Sequence, residues 1–101
     1  MLPKLLLACS LHQRLQRPSD LLLLDVRNEE EFARSRIETR HTPQTLNVPY
    51  MQFIEDDTRH ETIGRLPRGR PIVVVCAYGG SSEYVAGILR HHGFTVANLA
   101  G

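Results

Sequence analysis

Residues 72–82, with the sequence IVVVCAYGGSS, decide the fold. The continuous run of apolar β-branched residues at 72–75 predicts a strand that is buried on both faces of a sheet. This strand runs straight into Cys76, and glycines and serines at 79–82 then form a turn before a segment whose apolar residues recur at helical spacing. A strand, a cysteine, a glycine-rich turn and a helix in this order predict a βα unit of a parallel sheet.

The rest of the chain also alternates between strand and helix patterns. This alternation predicts an α/β fold, with a small, mostly parallel central sheet and helices on both faces. The residues at 39–45 and 56–69 are polar and are expected to be loops, with a helical turn over 61–66. We predict strands over 21–26, 46–48, 72–75 and 94–99, and helices over 4–16, 29–36, 50–55 and from the turn at 79–82 to the glycine at 93.

The N-terminal segment 4–16 has apolar residues such as Leu5 and Leu11 at helical spacing, which indicates an amphipathic helix with these leucines on its buried face. Cys9 lies inside this leucine-rich pattern. A free cysteine in such a setting usually packs as a small apolar residue, so we expect Cys9 in the core.

Length and charge limit the classes of function. A chain of 101 residues forms one domain, and its net charge of +1 gives no indication of nucleic acid or a membrane surface as a partner. The richest basic cluster, 65–70, contains Pro67 and Gly69 and is expected to be a solvated loop. The apolar run at 5–8 is too short for a signal sequence, and no transmembrane segment is predicted.

The two cysteines, Cys9 and Cys76, are too few for a disulfide framework, and neither belongs to a C-x-x-C pair. This usage indicates a reduced, cytoplasmic protein whose thiols are free for chemistry. No cofactor is indicated. A zinc site would require several of the five histidines to lie close together in the fold. The sequence gives no indication of this, so no metal is expected.

Cys76 lies where a parallel sheet binds ligands, beyond the carboxyl end of a strand and before the start of a helix. Backbone N–H groups in a glycine-rich turn and at a helix N-terminus attract anions, which lowers the pKa of a thiol held there. A cysteine that ends a buried strand is otherwise an inert apolar residue, but such a residue needs no glycine-rich turn after it. We therefore predict that Cys76 is a reactive thiolate rather than a packing residue. The predicted anion cradle consists of the backbone amides of Ala77, Tyr78, Gly79, Gly80, Ser81 and Ser82.

Four segments, taken in order, resemble the rhodanese-like domain superfamily. The resemblance covers nearly the whole chain, and it is the order of the segments that makes it specific. They are LLLDVR at 22–27 with Glu31-Phe32, HTP at 41–43 with LNVP at 46–49, the strand and loop at 72–82 with Cys76 at the nucleophile position, and Gly93-Phe94 with NLAG at 98–101.

The resemblance implies a sulfurtransferase. In that family the cysteine takes a sulfane sulfur from thiosulfate, a polysulfide or glutathione persulfide, carries it as a persulfide, and passes it to cyanide, a thiol or sulfite. The partners expected are therefore small sulfur donors and thiol acceptors. Asp25 and Arg27 belong to the family's signature, and we expect them to support folding and the loop rather than the chemistry.

The chain departs from the family pattern in two places. Many members carry an arginine where this chain has Ser81, and a serine supplies no fixed positive charge. Thiosulfate, a dianion, is therefore expected to be a poorer donor than an organic persulfide. The second departure is at Gly101, where members commonly continue with another glycine and a final helix. We expect residues 1–101 to be a single rhodanese-like domain that lacks this helix or was excised before it.

The loop and the segment NVPY at 47–50 resemble rhodanese domains attached to metallo-β-lactamase-type persulfide dioxygenases. A fused or associated domain of that type is thus a further expected partner. Two other functions stay open: a rhodanese-like regulatory or interaction module with weak catalysis, and a phosphatase or arsenate-acting enzyme of the same fold. The latter needs an arginine where this chain has Ser82, which argues against it.

Overall fold

The computed structural model describes residues 5–14, 20–28, 30, 44–75 and 80–100, and these form a five-stranded parallel sheet with helices. The strand order is β1-β5-β4-β2-β3, and all four strand pairings are parallel. The predicted α/β class with a mostly parallel sheet is confirmed. The elements are β1 (Leu5–Leu7), α1 (Ala8–Arg14), β2 (Leu22–Asp25), β3 (Gln44–Asn47), α2 (Met51–Ile54), α3 (Asp56–Gly64), β4 (Ile72–Val75), α4 (Gly80–His91) and β5 (Val96–Ala100).

The central strands β2 and β4 are buried along their whole length, as their continuous apolar runs predict. Because side chains alternate along a strand, each run divides between two cores. Leu22 and Val74 belong to the larger core, which α2, α3 and α4 cover with side chains such as Phe53. Leu23 and Val73 belong to the smaller core, where Leu11 of α1 packs. Helices therefore lie on both faces of the sheet, as predicted.

Helix α4 ends where the sequence predicts. Its buried residues include Val85, Ala86 and Leu89, and the chain turns at Gly93, whose φ of 88° is in the left-handed region that favours glycine. The N–H of Gly93 donates to the carbonyl of Arg90, and the N–H of the following residue donates to the carbonyl of Leu89, both at 3.0 Å. This is the hydrogen-bond pattern of a Schellman motif, which satisfies the last carbonyls of the helix.

The single helix predicted over 4–16 is wrong for its first turn. Residues 5–7 form β1, which pairs with β5, and helix α1 begins only at Ala8. Strand alternation then buries Leu6, at 2% exposed, and leaves Leu5 57% and Leu7 54% exposed. A run of three leucines fits both periodicities, and only its pairing with the distant β5 decides between them.

Cys9 is also placed differently from the prediction. It lies in α1, but its side chain is exposed and its thiol is free. The helix is short and turns Leu11 toward the sheet. Of the leucines that suggested a buried environment for Cys9, those at 5–7 belong to β1, and Leu11 in α1 is buried while Cys9 is exposed.

Three boundaries also differ from the predictions. Strand β3 begins at Gln44, inside the expected loop, because its residues pair with β2. Helix α3 begins at Asp56, five residues before the expected helical turn. Its buried residues are Thr62 and Ile63, so apolar residues do not recur at helical spacing along it and the sequence gives only a weak helix signal. Helix α4 begins at Gly80, so Gly80, Ser81 and Ser82 belong to its first turn rather than to a loop. Of the predicted helix over 29–36, only Glu30 lies within the described residues.

The basic cluster at 65–70 is more than a solvated loop. Arg70 Nε donates to the carbonyl of Asp20 at 2.7 Å and its Nη1 donates to Gln44 Oε1 at 2.6 Å, which ties together the amino ends of β2 and β3. Arg68 Nη1 donates to the carbonyl of His92 at 3.0 Å, and its guanidinium lies 4.4 Å from the ring centre of Phe94. Both arginines hold chain segments that are distant in sequence.

Candidate functional site

The carboxyl ends of the strands meet at one edge of the sheet, where a parallel α/β fold binds its ligands. Asp25 at the end of β2 is in register with Asn47 on β3 and Val75 on β4. The chain continues from Val75 into Cys76, which is therefore the next residue after this row. Residues 76–79 lie outside the described residues, so the roles of Cys76, Ala77, Tyr78 and Gly79 remain predictions.

Asp25 and Arg27 form a close ion pair at this edge. Asp25 is 3% exposed, and its Oδ2 lies 2.7 Å from Arg27 Nη2. Arg27 Nε donates to both carboxylate oxygens, at 2.9 and 3.0 Å, and the backbone N–H of Arg27 donates to Oδ1 at 3.0 Å. Because one carboxylate accepts from both the side chain and the backbone of Arg27, it closes the turn that follows β2. The charge of Asp25 is thereby compensated within the protein.

Asn47 completes this turn, although the sequence analysis did not assign it a role. Its Nδ2 donates to the carbonyls of Asp25 and Arg27, at 3.1 and 2.9 Å. On the other side, the N–H of Val26 donates to the carbonyl of Val75 at 2.9 Å. The turn after β2 is thus fastened to the ends of both neighbouring strands. An amide residue directly before Val48-Pro49 was the signal available in the sequence.

The side chain of Ser82 is turned into the protein. Ser82 is fully buried in the first turn of α4, and its hydroxyl donates to Oδ1 of Asn98, which is 8% exposed on β5. The predicted cradle used only backbone amides, and the first N–H groups of a helix have no partner within that helix. Asn98 was not assigned a role from the sequence. Its signal was a polar residue in a strand whose neighbours are apolar.

Two tyrosines lie at the same edge of the sheet. The N–H of Tyr50 donates to the carbonyl of Val26 at 3.0 Å, which places Tyr50 beside the turn after β2. Its ring meets that of Tyr84 edge to face, with ring centres 6.1 Å apart and an angle of 74° between the ring planes. Tyr84 is 50% exposed, so this helix presents aromatic surface to solvent within its first two turns.

Tyr84 also lines an open groove of about 680 Å³ between α3 and α4. This volume is within the usual range for small-molecule sites. The groove mixes apolar surface with groups that carry or can carry charge. Its lining includes Arg59, His60, Glu83, Ile88, His91 and His92.

No group of three or more His, Cys, Asp or Glu side chains within the described residues is placed to hold a metal ion. The described part of the chain also has no helix with the length and apolar character that crossing a bilayer requires.

The chain belongs to the rhodanese-like domain family, whose model matches residues 8–101. The matched region includes Cys76, the turn after β2, Asn47 and the Ser82–Asn98 contact. Several sequence relatives are named for sulfur transfer, including the following two. A tRNA sulfurtransferase of Desulfurococcus amylolyticus is 31% identical over 84 residues, which cover 83% of this chain and 14% of that protein. A sulfurtransferase of Allochromatium vinosum is 32% identical over 93 residues, which cover 91% of this chain and 77% of that protein.

Solved structures share the architecture. A rhodanese-like domain protein from Staphylococcus aureus superposes with a TM-score of 0.76 at 24% identity, over 98% of this chain and 86% of the other. An NAD-dependent persulfide reductase from A. fulgidus superposes with a TM-score of 0.59 at 29% identity, over 97% of this chain and 15% of the other. The chain thus spans only a small part of the reductase and of the tRNA sulfurtransferase.

Proposed function

We propose that this protein is a rhodanese-type sulfurtransferase in which Cys76 accepts a sulfane sulfur and carries it as a persulfide. The observation that carries the proposal is the place of Cys76 in the chain. It directly follows the last residue of β4 at the carboxyl edge of a parallel sheet, and α4 begins at Gly80. The family match and the sulfurtransferase names of two relatives support the same chemistry.

The reaction consists of two displacements at sulfur. The Cys76 thiolate attacks the outer sulfur of a persulfide R–S–S⁻, the S–S bond of the donor breaks, and the thiolate RS⁻ leaves. An acceptor such as a thiolate, sulfite or cyanide then attacks the outer sulfur of the enzyme persulfide, and the Cys76 thiolate is the leaving group. In the first step the S–S bond of the donor is replaced by the S–S bond of the enzyme persulfide. In the second step that bond breaks and the outer sulfur forms a bond to the acceptor. The transferred sulfur keeps its oxidation level throughout, so no external oxidant is consumed. N–H groups at the start of α4 would stabilise the anion in both states.

The donor that fits this chain best is an organic persulfide of low charge. Ser81 occupies the place at which an arginine would bind the second charge of thiosulfate. The exposed ring of Tyr84 offers apolar surface at the same edge of the sheet. The similarity to a persulfide reductase agrees with this choice. We also propose that the acceptor is a thiol, sulfite or cyanide. A metallo-β-lactamase-type domain, fused or associated, is proposed as the partner, and the reduced cytoplasm as the location.

Exchanging Ser81 for arginine is expected to change the donor preference. The new guanidinium adds a fixed positive charge near the start of α4, so kcat/KM for thiosulfate should rise about tenfold relative to an organic persulfide. Steady-state kinetics with both donors would measure this ratio. The control is Ser81→Gln, which adds a comparable side chain without charge. An unchanged ratio in Ser81→Arg would contradict the proposed reason for the donor preference.

Removing the ring of Tyr84 is expected to weaken binding of the organic part of the donor. In Tyr84→Ala we expect KM for an organic persulfide to rise about three- to tenfold, because burial of a small apolar group contributes about 1 kcal/mol. KM for thiosulfate, which has no organic part, should change less than twofold. Tyr84→Phe retains the ring and serves as the control. Equal effects of Tyr84→Ala on both donors would exclude this contact.

The direct test of the function is mass spectrometry of the protein after incubation with a persulfide donor. The peptide that contains Cys76 should gain one sulfur, about 32 Da, and lose it when an acceptor thiol is added. The peptide with the exposed Cys9 is the internal comparison. If no donor adds sulfur to Cys76, the proposal is wrong and the interaction module is favoured.

A further inference from the structure

A second cleft lies between the last turn of α3 and β3, which is an edge strand of the sheet. It shares no lining residue with the groove between α3 and α4. Its volume is about 280 Å³, which is far more than the roughly 30 Å³ of one water molecule and just below the usual range for drug-sized ligands. The cleft therefore has the size of a site for a small molecule. Its lining includes Leu46, Val48, Thr62, Arg65 and Leu66.

Thr62 contributes a buried hydroxyl group to this cleft. The residue is 6% exposed, and its side chain makes no hydrogen bond to any residue that the structure describes. Thr58, one turn earlier on the same helix, shows the ordinary case, because its hydroxyl donates to the carbonyl of Gln52 at 3.0 Å. A buried hydroxyl without a partner destabilises a protein, so its occurrence in the wall of a cleft indicates a bound molecule that supplies the missing hydrogen bond.

Arg65 contributes a positive charge beside this hydroxyl. The backbone of Arg65 is still helical, and residues three apart on a helix are neighbours with about 5–6 Å between their Cβ atoms. Thr62 and Arg65 are therefore close enough to bind the two oxygens of one carboxylate. The guanidinium pairs with Glu61, but these side chains are 73% and 65% exposed, and such surface pairs are weak. Arg65 can thus turn to a ligand at little cost.

The end of α3 does not present unpaired carbonyl groups to an anion in the cleft. The N–H of Arg65 donates to the carbonyls of Glu61 and Thr62, and the N–H of Leu66 donates to the carbonyl of Ile63. Among the described residues, no Asp or Glu lines the cleft. The charge that a ligand meets there is therefore positive.

Apolar side chains form the rest of the cleft. Leu46 of β3 and Val48 just after it are half-buried and pack against the larger core, and Leu66 is 5% exposed. A short hydrocarbon group in contact with these three residues would be removed from water, which favours its binding. The cleft thus combines a hydroxyl and a positive charge with apolar walls.

We propose that this cleft is a binding site for a small monocarboxylate with a short apolar tail. The Thr62 hydroxyl donates to one carboxylate oxygen, the Arg65 guanidinium donates to the other, and the tail packs against Leu46, Val48 and Leu66. None of these five residues has a part in the proposed sulfur transfer, so the inference does not depend on the proposed function.

The test is a titration of the protein with isovalerate, followed by NMR spectra of the backbone amides. The amide signals of residues around the cleft should shift and saturate with a Kd of about 1 mM, a value typical of so small a ligand. Two matched probes separate the contributions. Isovaleramide has the same shape without the charge, and acetate has the charge without the tail. Each should bind at least about tenfold more weakly than isovalerate.

Thr62→Val replaces the hydroxyl by a methyl group of similar size. It should weaken isovalerate binding about tenfold, because a hydrogen bond to a charged group is lost. It should also raise the denaturation midpoint of the protein without ligand, since a buried hydroxyl without a partner is removed. Thr62→Ser retains the hydroxyl and should bind isovalerate within about threefold of the wild type.

Arg65→Gln should weaken isovalerate binding about tenfold and leave the weaker binding of isovaleramide unchanged, because only the carboxylate depends on the charge. The matched control is Arg59→Gln. It removes another arginine of α3 that pairs with an exposed acid, Asp56, and that does not line this cleft. Arg59→Gln should not change either Kd.

Weaker isovalerate binding in Thr62→Val and Arg65→Gln, with unchanged binding in Arg59→Gln, supports the inference. It is overturned if isovalerate causes no saturable shift up to about 50 mM, or if isovaleramide binds equally well. A more stable Thr62→Val that binds isovalerate like the wild type would overturn it too, because the hydroxyl would then be an unpaired group without a ligand. If Thr62→Val does not fold, Arg65→Gln with the two carboxyl-derived probes decides the question.

Discussion

Cys76→Ser is expected to lose sulfur uptake completely within detection, and its turnover with any donor should fall at least about 10³-fold. A serine hydroxyl is protonated at neutral pH and cannot form a persulfide, so no intermediate is available for the second displacement. The measurements are the mass of the protein after incubation with a persulfide donor and the rate at which the acceptor product appears. The fold should be unaffected, since the two side chains are close in size.

Cys9→Ser is the matched control for this prediction. Cys9 is an exposed free thiol on α1, so any sulfur uptake that does not depend on the site at Cys76 would be found there. Cys9→Ser should retain full turnover. Sulfur uptake that persists in Cys76→Ser and disappears in Cys9→Ser would contradict the assignment of the nucleophile.

Arg27→Ala is expected to lower the free energy of unfolding by about 3 kcal/mol, because it leaves the carboxylate of Asp25 buried without its counter-charge. The side chains of Arg27 and Asp25 are 14% and 4% exposed, so water can replace few of the hydrogen bonds that the guanidinium makes to the Asp25 carboxylate. Urea denaturation followed by circular dichroism measures the change. Activity per folded molecule should stay within about threefold, since this pair holds the turn after β2 and takes no part in the proposed displacements.

The matched control is Arg65→Ala, which breaks the pair with Glu61. These side chains are 73% and 65% exposed, and such surface pairs contribute less than about 1 kcal/mol. If Arg27→Ala lowered the free energy of unfolding as little as Arg65→Ala does, the stability of the turn after β2 would not depend on the Asp25–Arg27 ion pair. A loss of activity of more than about 100-fold with unchanged stability would show instead that Arg27 acts in the chemistry.

Much of the candidate site follows from local patterns in the sequence. The strand before Cys76 could be predicted because a strand buried on both faces reads as an unbroken apolar run. The end of α4 could be predicted because a left-handed backbone favours glycine, here Gly93. The partners of Ser82 and Asp25 could not be predicted, because Asn98 and Asn47 are distant in sequence. Asn47 meets Asp25 through the register of β2 and β3, and Asn98 meets Ser82 through the contact of α4 with β5.

The sequence by itself determined the class of fold and the position of Cys76 directly after a buried strand, because the period of the apolar residues within each short segment carries this information. The proposed preference against thiosulfate depends in addition on the family resemblance, which leads to the expectation of an arginine where this chain has Ser81. Only the tertiary structure decided that residues 5–7 form a strand, that Cys9 is exposed, and that Ser82 faces the core. Each depends on β5, whose pairing with β1 and β4 brings together the two ends of the chain, and no local pattern encodes which strands become neighbours.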